Sequence, residues 1–224
     1  MFPNNYVDCN LPKTESALNE GNMKQAIWVL TNFGRDKKMN DNTWFISDTH
    51  FSHANIIRYC NRPWNHGLGE DGQLIVDDSD VEAMNKTIVD NWNKVVGKDD
   101  IVWHLGDFSF GKKDNVEKYF KQLNGRINIV LGNHDKQKVK FYYDVGFHRV
   151  YDRPVIINNF FILSHEPLQW VQNPMYNIFG HIHDNPIYKT WSNRGCCVCV
   201  ERHDYTPISW KEIMNHIKKE DEGD

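Results

Sequence analysis

Five short clusters of side chains that bind cations or phosphate recur along the chain. They are Asp48-Thr49-His50, Gly106-Asp107, Gly132-Asn133-His134-Asp135, Ser164-His165 and Gly180-His181-Ile182-His183. Imidazole suits Zn, Fe, Mn or Ni, carboxylate and amide oxygens keep a site hard enough for Mn, and no Cys ligand is required. Taken singly the clusters are weak signals. Asp-x-His arises by chance, Gly-Asp is a common turn, Asn-His-Asp builds Asx-type turns, and two histidines one residue apart on a strand fit a satisfied buried pair. Their position is what sets them apart, because each follows a short apolar run.

Those runs are Thr43 to Ser47, Ile101 to Leu105, Ile127 to Leu131, Phe160 to Leu163 and Tyr176 to Phe179, with a further one at Cys196 to Val200. Short continuous apolar segments predict strands buried on both faces. Helical patterns lie between them: Ala54 to Cys60, Ser79 to Val95 with Ser79 as N-cap, and Asn115 to Leu123 stopped by Asn124-Gly125. After Pro207, the amphipathic segment Ile208 to Ile217 predicts a closing helix that covers the sheet. Strands alternating with helices predict an α/β domain. In such folds ligands bind outside the carboxyl ends of the strands, so the five clusters are expected to converge on one pocket.

The domain is expected over residues 41–219, preceded by an extension at 1–40 with an amphipathic helix near Glu15 to Phe33, and followed by an acidic tail at 220–224. The stretch Asn61 to Asp80, with Pro63, Gly67, Gly69 and Gly72, predicts a long loop. It is either a specificity lid or a surface excursion with Trp64 pinned to the core.

Composition limits the rest. With 224 residues, 40% of them hydrophobic and 25% charged, the chain suits one globular domain with an appendage rather than a disordered or fibrous protein. A net charge of -4 and no dense Lys/Arg block, pairs such as Lys218-Lys219 being the longest runs, argue against broad electrostatic capture of long nucleic acid or an anionic membrane. Five cysteines, three of them crowded into Cys196 to Cys199 where an intrachain bridge is geometrically awkward, predict reduced, buried thiols. No apolar run approaches the roughly 18 residues of a membrane span, and the expected location is the cytoplasm.

The ordered set D-x-H, G-D, G-N-H-D, H and G-H-x-H, spanning about Trp44 to Ile213, resembles the calcineurin-like metallophosphoesterase family. The contexts Ile46 to His50 and Trp103 to Asp107 are similar to its small bacterial and phage branch. The resemblance implies a four-layer α/β/β/α sandwich with a dimetal site at the C-terminal edge of the strands. It implies that Asp48, His50 and His183 bind one divalent metal, that Asn133, His165 and His181 bind the other, and that Asp107 bridges both. Two such cations, Mn foremost and Fe, Ni or Zn as alternatives, hold a bridging hydroxide and clamp a phosphoryl oxygen. The resemblance places His134 beside the metals as a general acid oriented by Asp135, a neighbouring carboxylate favouring the protonated imidazole. His53, Arg58 and Arg194 are candidate substrate contacts, Arg58 foremost because guanidinium pairs with phosphate in two-pronged fashion.

The expected activity is hydrolysis of small phosphodiesters, nucleotide-like in kind. The alternative is a phosphomonoesterase resembling a 5'-nucleotidase, since the same metal pair serves either ester. A nuclease on long DNA or RNA is disfavoured by the acidic balance. A non-catalytic scaffold is disfavoured because none of the seven ligand positions is substituted.

Overall fold

Apolar runs of four or five residues form strands because both of their faces are covered. Tyr176–Phe179, for example, is buried at all four positions. The computed structural model describes residues 39–221 apart from 159, 170, 172–174 and 193. The expected helix at Glu15 to Phe33, Cys9 and the end of the acidic tail lie outside the described residues.

Among the described residues ten strands make two sheets. The first has the order β10-β1-β2-β3-β4, built from β1 (Thr43–Ile46), β2 (Ile101–His104), β3 (Arg126–Val130), β4 (Arg149–Tyr151) and β10 (Ile208–Ser209). β1 to β4 are parallel and β10 is antiparallel to β1. The second has the order β5-β6-β7-β9-β8, from β5 (Val155–Ile157), β6 (Phe161–Ser164), β7 (Tyr176–Phe179), β8 (Trp191–Ser192) and β9 (Gly195–Cys197). β6, β7 and β9 are parallel, and β5 and β8 are antiparallel edges.

One core lies between the sheets, where Phe45, Trp103, Val130 and Ile208 of the first meet Phe161, Leu163, Ile178 and Cys196 of the second. Another lies outside the first sheet, where α1 (Ala54–Tyr59), α2 (Asp78–Val95), α3 (Lys113–Phe120) and α4 (Val139–Val145) pack on Ile46, Val102, Ile127 and Ile129. The last helix, α5 (Trp210–Asp221), sends Ile213 into the inter-sheet core, and Trp210 meets Phe161 edge-on at 4.6 Å. The sheets are joined at one edge: Ser47 N–H donates to Val198 O (2.9 Å) and Val200 N–H to Ser47 O (3.2 Å). The ligand-bearing loops meet at this edge.

Several boundaries differ from the sequence expectation. The N-cap of α2 is Asp77, not Ser79: Asp77 accepts from Ser79 N–H and Asp80 N–H, and Asp80 accepts from Asp77 N–H. This reciprocal box satisfies three otherwise orphaned donors. The expected helix at Ile208 splits, because Ile208 and Ser209 extend the first sheet and Ser209 then caps α5 through a second box with Glu212. The stretch 61–80 is a surface excursion pinned by Trp64, which packs on the outer core and meets Tyr205 at 4.6 Å. Among the described residues no helix is long and apolar enough to cross a membrane.

Candidate metal centre

All five clusters emerge at the carboxyl ends of parallel strands: Asp48 and His50 after β1, Asp107 after β2, Asn133 after β3, His165 after β6, His181 and His183 after β7. The β1 and β2 loops stay paired beyond their strands. Asp48 N–H donates to Gly106 O (3.0 Å), His50 N–H to Asp107 O (3.0 Å) and Phe51 N–H to Phe108 O (3.1 Å). Within this frame Asp48, His50, Asp107, His181 and His183 all have positive φ, between 47° and 71°. Non-glycine residues take that region at an energetic cost, and its recurrence at five of these positions marks backbone strained to aim side chains at one point. Backbone elements also approach unusually closely. A Cβ on Gly106 (φ +94°) would sit 2.6 Å from Gly132 N, and one on Gly180 would sit 2.5 Å from Asp48 Oδ2. Glycine is required at both.

The carboxylates divide their oxygens. Asp48 Oδ2 accepts from His181 N–H (2.8 Å) and from the Cys199 thiol (3.3 Å), while Asp48 Oδ1 is buried without a partner. Asp107 Oδ1 accepts from His134 N–H (2.8 Å), and Asp107 Oδ2 lies 3.4 Å from His50 Nε2 and 3.4 Å from His165 Nε2. Ligand atoms fall within 4.8 Å of one another in two groups, Asp48, His50 and His183, and Asp107, His165 and His181, and Asp107 Oδ2 of the second lies as close to His50 of the first as to its own His165. Asn133 Oδ1 joins the second, 2.9 Å from His165 Nε2 and 3.2 Å from His181 Nδ1.

Tautomers follow from the outer hydrogen bonds. His165 Nδ1–H donates to Leu105 O (2.8 Å), so Nε2 is the ring nitrogen that faces Asn133 Oδ1 and Asp107 Oδ2 and that a cation would take up on deprotonation. His183 Nδ1–H donates to Glu201 Oε1 (2.9 Å), which leaves Nε2 facing Asp48 Oδ1 at 3.6 Å. Carboxylate, amide and imidazole ligand atoms converging on one another, with Asp48 Oδ1 and His50 Nε2 buried and unpaired, are what a pair of cations would satisfy. The residues fit divalent metals. Burial opposes ionisation of Asp107, but His165 and His50 beside it hold its carboxyl far below the usual range.

Other sequence candidates sort clearly. His53 belongs to the centre: its Nδ1 lies 3.3 Å from His50 Nδ1 and its ring stacks on Phe110 at 3.9 Å. The ring of His134 is 5.3 Å from that of His50. Asp135 does not orient His134. Its carboxylate accepts from Asp107 N–H (2.8 Å), Gly132 N–H (2.9 Å), Phe108 N–H (3.2 Å) and Tyr142 O–H (3.4 Å), so it locks the β2 and β3 loops together. Burial, reinforced by Asp107, pushes its carboxyl up to about 6. Arg58 is turned to other partners. It donates to Leu74 O, Val76 O and Asn55 Oδ1 at 3.0 to 3.1 Å and so ties down the 61–80 excursion. Arg194 precedes β9 beside Asn177 at the amino end of β7, opposite the centre, and donates to Val171 O. His104, buried under the centre, is neutral, burial holding its pKa down to about 3. It accepts from Gly106 N–H at Nδ1 (3.2 Å) and reaches Thr49 Oγ1 through Nε2 (3.0 Å), and Thr49 donates to Phe108 O.

Sequence reading missed Glu201. The Arg62 guanidinium, with no exposed surface, donates to Glu201 Oε1 from Nε (3.0 Å) and Nη2 (2.7 Å), and also to Asp48 O and Thr49 O. Glu201 therefore links a buried cation to His183, the arrangement by which a carboxylate orients a metal-binding imidazole. Cys60, Cys196, Cys197 and Cys199 are free and buried, in line with the expectation of reduced thiols. For Glu201→Gln we expect a loss of about 3 kcal/mol in stability, because Arg62 keeps its charge without a counter-charge. Metal affinity should weaken by about 10-fold to 100-fold. Thermal unfolding and metal titration on the same preparation check both; unchanged metal affinity would leave Glu201 with no part in the centre.

A two-sheet α/β frame that gathers carboxylate, amide and imidazole donors into adjacent groups defines a metallohydrolase architecture. The chain belongs to the calcineurin-like phosphoesterase family, whose sequence model matches residues 42–222. It is accordingly a metal-dependent phosphoesterase, a hydrolase acting on phosphate esters. The uncharacterized protein MJ1445 of Methanocaldococcus jannaschii is 37% identical over 185 residues, covering 79% of this chain and 91% of that protein. The Gene 66 protein of Mycobacterium phage L5 is 37% identical over 97 residues, covering 42% of this chain and 40% of that protein. Among solved structures, the protein of unknown function AQ665 from Aquifex aeolicus matches with a TM-score of 0.53 and 29% identity, over 77% of this chain and 97% of that one.

Proposed function

We propose that the chain hydrolyses small phosphodiesters of nucleotide-like character. In this reading Asp48, His50 and His183 hold one metal, Asn133, His165 and His181 hold a second, and Asp107 bridges them. The observation that carries the reading is the placement of Asp107 Oδ2, 3.4 Å from one imidazole of each group. Two divalent cations held by these residues, Mn being the proposed metal, would supply positive charge to a phosphoryl group and lower the pKa of an attacking water. His134, tethered to Asp107 Oδ1 through its backbone N–H, is free to offer its ring to the departing oxygen.

Preference for a diester over a monoester rests on the charges the protein adds. A monoester dianion calls for extra cationic donors, and the arginines bonded to the ligand loops are already committed. Arg62 binds Glu201 and the Asp48 and Thr49 carbonyls, and Arg202 donates to His183 O (2.6 Å) and Asn185 O (2.7 Å). Hydrolysis of bis-p-nitrophenyl phosphate should therefore outpace that of p-nitrophenyl phosphate when the protein is loaded with Mn. Faster release from the monoester would favour the nucleotidase-like alternative, and turnover of neither would sink the assignment.

A further inference from the structure

Beside the centre stands a group of rings that the metal ligands do not use. Phe110, 40% exposed, lies with one face on the His53 ring, centroids 3.9 Å apart and planes 9° from parallel. Its centroid is 6.0 Å from that of His134. Tyr59, 73% exposed at the end of α1, meets the same His53 edge-on at 6.4 Å. His53 is itself fixed against His50, and the Phe110 backbone is held on both sides: its N–H donates to Phe51 O (2.9 Å), and its carbonyl accepts from Asn115 Nδ2 (2.9 Å). An exposed aromatic residue alone means little, since single apolar side chains are common on protein surfaces. Phe110 differs in being rigidly stacked and in bordering the imidazole that faces the leaving group. A planar ring arriving there extends an existing stack, and little side-chain freedom is left to lose.

We propose that Phe110, flanked by Tyr59, is the platform on which a planar ring of the leaving group stacks, so that the preferred substrates are phosphate esters of nucleosides rather than of ring-less alcohols. This rests on the phosphoesterase reading of the same centre and on His134 marking the leaving-group side. Stacking is sequence-tolerant because every base presents a π-face, so purine and pyrimidine nucleosides should both be accepted.

The test uses the Mn-loaded full chain and two diesters with a methyl group on one side, the other side being adenosine in one and glycerol in the other. The wild type should favour the adenosine ester. In Phe110→Ala the ratio of kcat/KM for adenosine over glycerol should fall by about 5-fold to 150-fold, mostly through KM, and Phe110→Trp should restore it. An unchanged ratio in Phe110→Ala would overturn the proposal. Calorimetric binding of adenosine monophosphate and glycerol phosphate reads the platform without turnover: weaker binding of the nucleotide alone in Phe110→Ala supports it, and equal changes for both ligands refute it. Failure of the phosphoesterase reading looks different, because neither diester would then be hydrolysed by the wild type.

Discussion

Asp107→Asn should lower kcat/KM for phosphodiester hydrolysis by about 10,000-fold and reduce the bound metal from two ions per chain to one or none. The substitution is nearly isosteric, and the amide oxygen still accepts from His134 N–H where Asp107 Oδ1 does now. What disappears is the negative charge between the two imidazole groups, at the oxygen 3.4 Å from each. Paired cations repel one another, and a bridging carboxylate is the main group offsetting that repulsion. Charge stabilisation by the metals is worth several kcal/mol of barrier, and each ~1.4 kcal/mol is tenfold in rate. Elemental analysis beside steady-state kinetics checks the claim. Wild-type turnover, or two ions still bound with full activity, would show that Asp107 is not the bridge.

His134→Ala should cost about 100-fold to 10,000-fold in kcat with both metals still bound. The residue is fixed by its backbone N–H to Asp107, a bond that alanine keeps. The loss should depend on the leaving group. A phenolate such as p-nitrophenolate departs with little protonation, so p-nitrophenyl esters should sit at the low end of the range and alkyl esters at the high end. Equal losses on both would mean that the ring acts on the phosphoryl group rather than as an acid. Loss of metal along with activity would make His134 part of the ion-binding shell.

Much of the centre could be read from the sequence, because each ligand cluster follows a short apolar run and the runs alternate with helices. Five buried parallel strands leave few ways to keep their carboxyl ends apart. What could not be read has identifiable causes. β4, β5, β8 and β10 are two or three residues long, too short for any periodicity. Strand pairing rather than composition decides that Ile208 and Ser209 join β1 before the helix begins. The positive φ angles at Asp48, His50, Asp107, His181 and His183 are held by cross-loop hydrogen bonds that no local pattern announces. This is also why His181 and His183 do not alternate along a continuing strand. Glu201 stands in Glu-Arg-His, which reads as a polar turn, and its partner Arg62 lies 139 residues away. Arg58 and Asp135 carry the residue types for phosphate recognition and for orienting an acid, yet both are engaged elsewhere, Arg58 mainly by the Leu74 and Val76 carbonyls and Asp135 mainly by backbone N–H groups.

Anomalous scattering from crystals of Mn-loaded protein, recorded at the manganese edge, is the most direct measurement. Two peaks are predicted, one among Asp48, His50 and His183 and one among Asn133, His165 and His181, both within bonding distance of Asp107. A single peak, or manganese bound instead at the surface group of His66, Asp77 and Asp80, would contradict the account.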